Sequence, residues 1–123
     1  GHGSSLPYNK EVVSAVAEMI AKNNGNAIVR TAFLNIDTPT LNEGLKSFEG
    51  TGVKKIVALP CFLAHGVHTM QDIPRVLGIK EGDKRTVVQL GGDDIELVYA
   101  EPLGADPGIA SIAYERVVNV LKD

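Results

Sequence analysis

Tryptophan is absent from this 123-residue chain, and tyrosine and phenylalanine number three each. Packing therefore falls to valine, isoleucine, leucine and alanine, as folds with buried parallel strands require. Cys61 is the only cysteine, which excludes an intramolecular disulfide and fits a reducing cytosol, so a cytoplasmic location is expected. No apolar run approaches the roughly 20 residues that cross a bilayer, and no signal peptide is visible. A basic excess is missing too. Twelve Lys and Arg stand against 15 Asp and Glu, for a formal net charge of −3. Neither nucleic acid nor a membrane surface is expected as a partner.

With 44% apolar residues the chain reads as a single domain, 1–123. Residues 8–24 have helical periodicity, with Val13, Val16, Ala17 and Ile20 on one face and Gly25 as the stop. Ala27 to Leu34 reads as a strand. Thr38-Pro39 predicts a helix start, carrying Leu41, Leu45 and Phe48 and ended by Gly50. Val53 to Phe62 is the most apolar strand, with Pro60 at its exit. Thr69 and Asp72 have capping-box spacing before a short helix through Val76 and Leu77, ended by Gly78. Residues 79–93 read as a charged surface extension with a β-like patch at 86–90. Ile95 to Ala100 is a strand, and Asp106-Pro107 opens a last helix with Ala110, Ala113, Val117 and Leu121 on one stripe.

Alternating helices and strands predict an α/β fold with a parallel sheet and right-handed crossovers. A strand is expected before the first helix and is absent from the chain, so the natural protein is expected to begin earlier.

Histidine is scarce, and its placement is the chief functional signal. His2 lies in Gly1-His2-Gly3-Ser4, and His65 and His68 lie in Ala64-His65-Gly66-Val67-His68-Thr69. In open α/β sheets, ligands bind beyond the carboxyl ends of strands, so both segments can face one crevice. Imidazole suits both divalent metal binding and proton transfer near neutral pH. Read alone, Gly1–Ser5 is equally a remnant of an added tag, His68 is more commonly a carbonyl-capping loop residue, and His65 with His68 could also chelate a metal within one turn. Ser4 and Ser5 after glycine could cradle a phosphate, but no dinucleotide or P-loop pattern follows.

The segments Gly1-His2-Gly3-Ser4, Leu6-Pro7-Tyr8-Asn9-Lys10-Glu11, FLAHGVHT with Asp72-Ile73-Pro74-Arg75, and Glu101-Pro102-Leu103-Gly104-Ala105-Asp106 occur in this order. Together they resemble the small archaeal-type sirohydrochlorin chelatases of the class II chelatase family. The resemblance implies a flavodoxin-like (chelatase-like) sheet with helices on both faces, a cytoplasmic homodimer, and insertion of Co2+ or Ni2+ into sirohydrochlorin. The metal would be a substrate, with no permanently bound cofactor. It assigns His2 and His68 as catalytic, metal-holding residues. Ser4, Ser5, Leu63, Ala64, Gly66, Val67, Thr69 and Arg75 become substrate-binding candidates, and His65 and Glu101 auxiliary ones. Ser5 departs from the basic residue that relatives commonly carry there.

Such chemistry needs a metal held weakly enough to be released and a destination for the inner N–H protons of the macrocycle. Two neutral imidazoles plus water meet that need better than a closed four-ligand site. Arg75 is the best cation for a substrate carboxylate; Lys10, Lys80, Lys84 and Arg85 read mainly as solvated charges. Cys61 reads as a small buried apolar group. Competing readings are a non-enzymatic metal carrier using His65 and His68, a tetrapyrrole-holding module, a phosphate or nucleotide binder resting on the fold alone, and iron insertion toward siroheme.

Overall fold

The computed structural model describes residues 1–122. In chain order these form α1 (Tyr8–Asn23), α2 (Leu41–Lys46), β1 (Lys55–Ala58), a π-helical turn (His68–Asp72) continuing into α3 (Ile73–Leu77), β2 (Arg85–Leu90), β3 (Asp93–Tyr99) and α4 (Pro107–Leu121). The sheet has the order β1-β3-β2. β1 and β3 run parallel, with Ile56 opposite Leu97, as the alternating pattern predicted.

The other edge differs from expectation. Residues 85–90 are not part of a surface extension but a full strand, antiparallel to β3. Gly91 and Gly92 connect the two strands with φ of 59° and 85°, the two-residue turn whose twist matches a hairpin. β2 alternates exposed and half-buried residues, so one of its faces meets solvent.

The core gathers Ile56, Ile73, Leu77, Ile79, Ile95 and Leu97 around β3, with Leu97 fully buried. Gly78, at φ 78°, ends α3 as the sequence predicted, and its neighbour Ile79 donates back to the Pro74 carbonyl at 2.8 Å.

Three further expectations need correction. The helix after Pro39 is capped by Thr40, not Thr38. Thr40 and Glu43 form a reciprocal capping box, which satisfies two backbone donors at once. Thr69 and Asp72 form no such box; both side chains turn instead to the histidine loop. Ala27 to Leu34 is not a strand and contributes only a bridge from Phe33 to Thr40. Residues 27–32 instead line a cavity of about 580 Å³ shared with α1 and β1, and the hydrogen bond from the Gly1 ammonium to the Ala32 carbonyl at 2.9 Å does not continue into a ladder with a partner strand. A strand needs such a partner, whatever its side chains prefer.

Candidate functional site

Backbone pairing brings the first residues to the sheet's carboxyl end. Leu34 N–H donates to the Gly1 carbonyl at 3.0 Å and Asn35 N–H to the His2 carbonyl at 2.9 Å. Gly3 then turns at φ 86°, and a Cβ there would come within 1.8 Å of the Asn35 carbonyl oxygen. Only glycine fits. Asn9 Oδ1 accepts from Gly3 N–H at 2.9 Å, and Asp37 Oδ2 accepts from Ser4 N–H at 3.0 Å.

The second segment follows β1. The loops after the parallel strands are laced together: Ala100 N–H donates to the Ala58 carbonyl, Leu103 N–H to that of Phe62 and Gly104 N–H to that of Leu63. This lacing carries Glu101 to His65 and leaves His68 at the start of the π-helical turn.

His2 Nε2 and His68 Nε2 lie 3.2 Å apart. The other nitrogen of each ring is committed. His2 Nδ1 donates to the Gly3 carbonyl at 2.8 Å, and His68 Nδ1 to Asp72 Oδ2 at 2.7 Å. A carbonyl and a carboxylate can only accept, so in the neutral form each ring carries its proton on Nδ1 and a lone pair on Nε2. With both rings neutral, two lone pairs face each other. A cation between them removes the repulsion. With metal–imidazole bonds of about 2.1 Å, this separation corresponds to an N–metal–N angle of roughly 100°, suited to open tetrahedral or octahedral coordination.

His65 is held apart from that pair. Its Nε2 meets Glu101 Oε2 at 2.5 Å and its Nδ1 meets Thr69 Oγ1 at 3.1 Å. Glu101 also meets Lys84 Nζ at 3.1 Å. The hydrogen bond from His65, then Lys84, hold the Glu101 carboxyl below its ordinary range. Thr69 is buried; its hydroxyl accepts from Gly66 N–H at 2.8 Å and also lies 3.2 Å from the Gly66 carbonyl. Tyr99 donates its phenol to the Thr69 carbonyl at 2.8 Å, and burial with the Glu101 charge pushes its pKa up to about 12.

Of the remaining candidates, Leu63, Ala64, Gly66 and Val67 are exposed around the pair, Ser5 is exposed, and Ser4 Oγ accepts from Leu6 N–H. Arg75 is exposed, 3.8 Å from Asp72. Among the described residues, no cluster of three or more His, Cys, Asp or Glu is arranged to hold a metal. Sequence reasoning missed Asp72, Asn9 and Asp37 as supports. Asp72 had a signal, its i, i+4 spacing from His68 on one helical face. Asn9 and Asp37 had none, because loop backbone geometry creates their partners.

The CbiX family model matches residues 1–120. The sirohydrochlorin cobaltochelatase of Methanosarcina barkeri is 48% identical over 121 residues, covering 98% of this chain and 92% of that protein. The protein of the same name from Methanopyrus kandleri is 42% identical over 133 residues, with 98% and 93% covered. Among solved structures, the sirohydrochlorin chelatase SirB from Bacillus subtilis subspecies spizizenii, in complex with cobalt, superposes with a TM-score of 0.72 at 21% identity. That alignment takes in 98% of this chain and 48% of SirB, so the chain spans about half of SirB's length and shares its fold.

Proposed function

The chain belongs to the CbiX family, and from that premise we propose that it is an enzyme inserting Co2+ into sirohydrochlorin, with His2 and His68 holding the metal. What carries the reading is the opposed Nε2 lone pairs, 3.2 Å apart and each fixed by an acceptor on the far nitrogen. Two imidazoles bind a divalent ion through neutral donors and leave its other positions to water and the incoming ring nitrogens. Because the ion has to leave, so open a site serves the reaction better than a closed cage.

Asp72 orients His68 and raises its basicity through the carboxylate–histidine–metal arrangement. The flat ring would lie over the exposed apolar side chains of Leu63 and Val67, beside Ala64 and Gly66. Ser5 and Arg75 are exposed and can reach its carboxylates, Arg75 from its loose 3.8 Å pairing with Asp72, and buried Thr69 shapes the turn that carries His68. Ni2+ fits the same imidazole pair, since ligand type discriminates weakly between the two ions. Two copies of this one-domain chain would together match the length of SirB, which supports a homodimer.

A metal carrier built on His65 and His68 is not favoured, because both His65 nitrogens are already engaged. The test is anaerobic cobalt insertion followed by absorbance, with nickel run separately and His2→Ala and His68→Ala beside the parent. Insertion should fall to the spontaneous rate in both variants. Cobalt binding that survives without His2, with no acceleration by the parent, would instead establish a carrier.

A further inference from the structure

Once a metal occupies their Nε2 atoms, His2 and His68 have no free nitrogen left, since both Nδ1 atoms are donating. Asp72 is committed to His68. A proton released from the macrocycle while the pair still holds the metal therefore needs another acceptor. We infer that His65 is that acceptor, with Glu101 and Thr69 as its positioning residues. This rests on the proposed metal insertion and adds a proton-handling site to it.

The hydrogen bonding around His65 is satisfied in both protonation states without moving a heavy atom. In the neutral ring, Nε2–H donates to Glu101 and the Thr69 hydroxyl donates to Nδ1. After proton uptake, Nδ1–H donates to Thr69 Oγ1, and the hydroxyl hydrogen rotates to the Gly66 carbonyl, 3.2 Å away. Gly66 N–H donates to Thr69 Oγ1 throughout. The imidazolium would face the Glu101 carboxylate, which Lys84 keeps ionised and anchored.

The His65 side chain is 39% exposed and that of Glu101 61%, so water reaches the pair and can carry protons onward. The other titratable groups close by are Lys84 on Glu101, Tyr99 through the Thr69 carbonyl, and His68 three residues along the loop.

The step balances. The two inner N–H bonds break in turn, each electron pair staying on nitrogen to form a metal–nitrogen bond. The first proton passes through water to His65 Nδ1 and on to bulk solvent, which frees the ring to take the second by the same route. Neither an oxidant nor a reductant is needed.

The test measures kcat against pH at saturating cobalt and sirohydrochlorin for the parent, His65→Gln, His65→Ala and Glu101→Gln. Cobalt affinity is measured separately by titration. Glutamine can still donate to Glu101 but cannot take up a proton. His65→Gln should lower kcat about 100-fold, the usual scale of a general base, and remove the acid limb of the profile. Cobalt affinity should hold within about twofold, because Nε2 of His2 and His68 is untouched. Added imidazole should restore part of the rate of His65→Ala. Glu101→Gln should lower kcat less.

Full rescue by glutamine would reduce His65 to a structural strut, and a parallel loss of cobalt affinity would make it a ligand; either overturns the inference. So does a His65→Gln variant with the parent rate and profile. A parent chain that does not accelerate insertion overturns the underlying function as well, which separates the two failures.

Discussion

The sheet side of the molecule and the side built from α1 and residues 27–32 are packed very differently. Around β3, Leu97 and Ile95 are buried against Ile56 from β1 and Ile73 and Leu77 from α3, and α2 adds Leu41 and Leu45. On the other side, Val13 is the only buried residue of α1, Val16 and Ile20 are more than a third exposed, and a 580 Å³ cavity separates them from β1 and from the Leu45, Ile73 and Leu77 side chains of the core. None of the described residues of α4 is buried. The His2–His68 pair straddles this divide. His68 comes from the turn leading into the packed α3, and His2 from a segment held by backbone hydrogen bonds and one obligatory glycine. The His68 backbone leads into a buried helix, and its ring is then fixed by Asp72; the His2 backbone is set by directional hydrogen bonds alone.

The largest expected effect follows from that contrast. Leu97→Ala opens a hole where nothing can collapse and should cost about 3–5 kcal/mol. Val16→Ala, on the cavity wall, should cost about 1 kcal/mol or less, because its methyl groups are already partly out of contact. Denaturant unfolding of the two variants measures both. Equal losses would mean that the cavity side is packed as tightly as the sheet side in solution.

The same divide governs how legible the fold was in sequence. Helices carried by their own periodicity, α1 and α4, fall where the pattern put them, within a residue or two. β1 and β3 are likewise where the apolar runs predicted, though β1 is only four residues long. Ala27–Leu34 has every side-chain mark of a strand and is not one, because strand formation is decided by a neighbour's backbone. β2 was the reverse case. Its charged flanks suggested an extension, yet Gly91-Gly92 between two alternating runs is a strong local hairpin signal. Thr69 and Asp72 looked like a helix cap by spacing, but nearby imidazoles compete successfully for both side chains. The facing of His2 and His68 followed from the rule that sites gather at strand carboxyl ends. The tautomers of that pair depend on Gly3 and Asp72 acceptors that only three-dimensional geometry supplies.

A middle-sized effect sharpens the difference between His2 and His68, the two histidines proposed to hold the metal. Asp72→Ala frees the His68 ring to rotate and to place its proton on either nitrogen, so cobalt affinity should fall about 10- to 100-fold. Asp72→Asn should recover most of the loss, because its amide oxygen still accepts from Nδ1–H. His2 has no side chain in the corresponding role; its Nδ1 partner is the Gly3 carbonyl, which no substitution removes. An Asp72→Ala variant with parental cobalt affinity would show that the loop alone fixes His68.

The smallest expected effect belongs to Tyr99, which joins the packed sheet to the histidine loop. Tyr99→Phe deletes the 2.8 Å bond to the Thr69 carbonyl and should cost about 1 kcal/mol at neutral pH. Its pH dependence is the more telling reading. Burial, then the Glu101 charge, raise the folded phenol's pKa from 10.0 to about 12. Between those values the unfolded chain has released this proton and the folded chain has kept it. The parent should therefore lose stability as pH rises through that window, a loss the phenylalanine variant lacks. The gap in melting temperature between the two should narrow from pH 10 to 12, modestly, because the phenol is only partly shielded from water. A gap that stays constant would mean that the phenol is as free to ionise when folded as when unfolded. The Thr69 turn would then owe its position to the buried Thr69 side chain rather than to this link with the sheet.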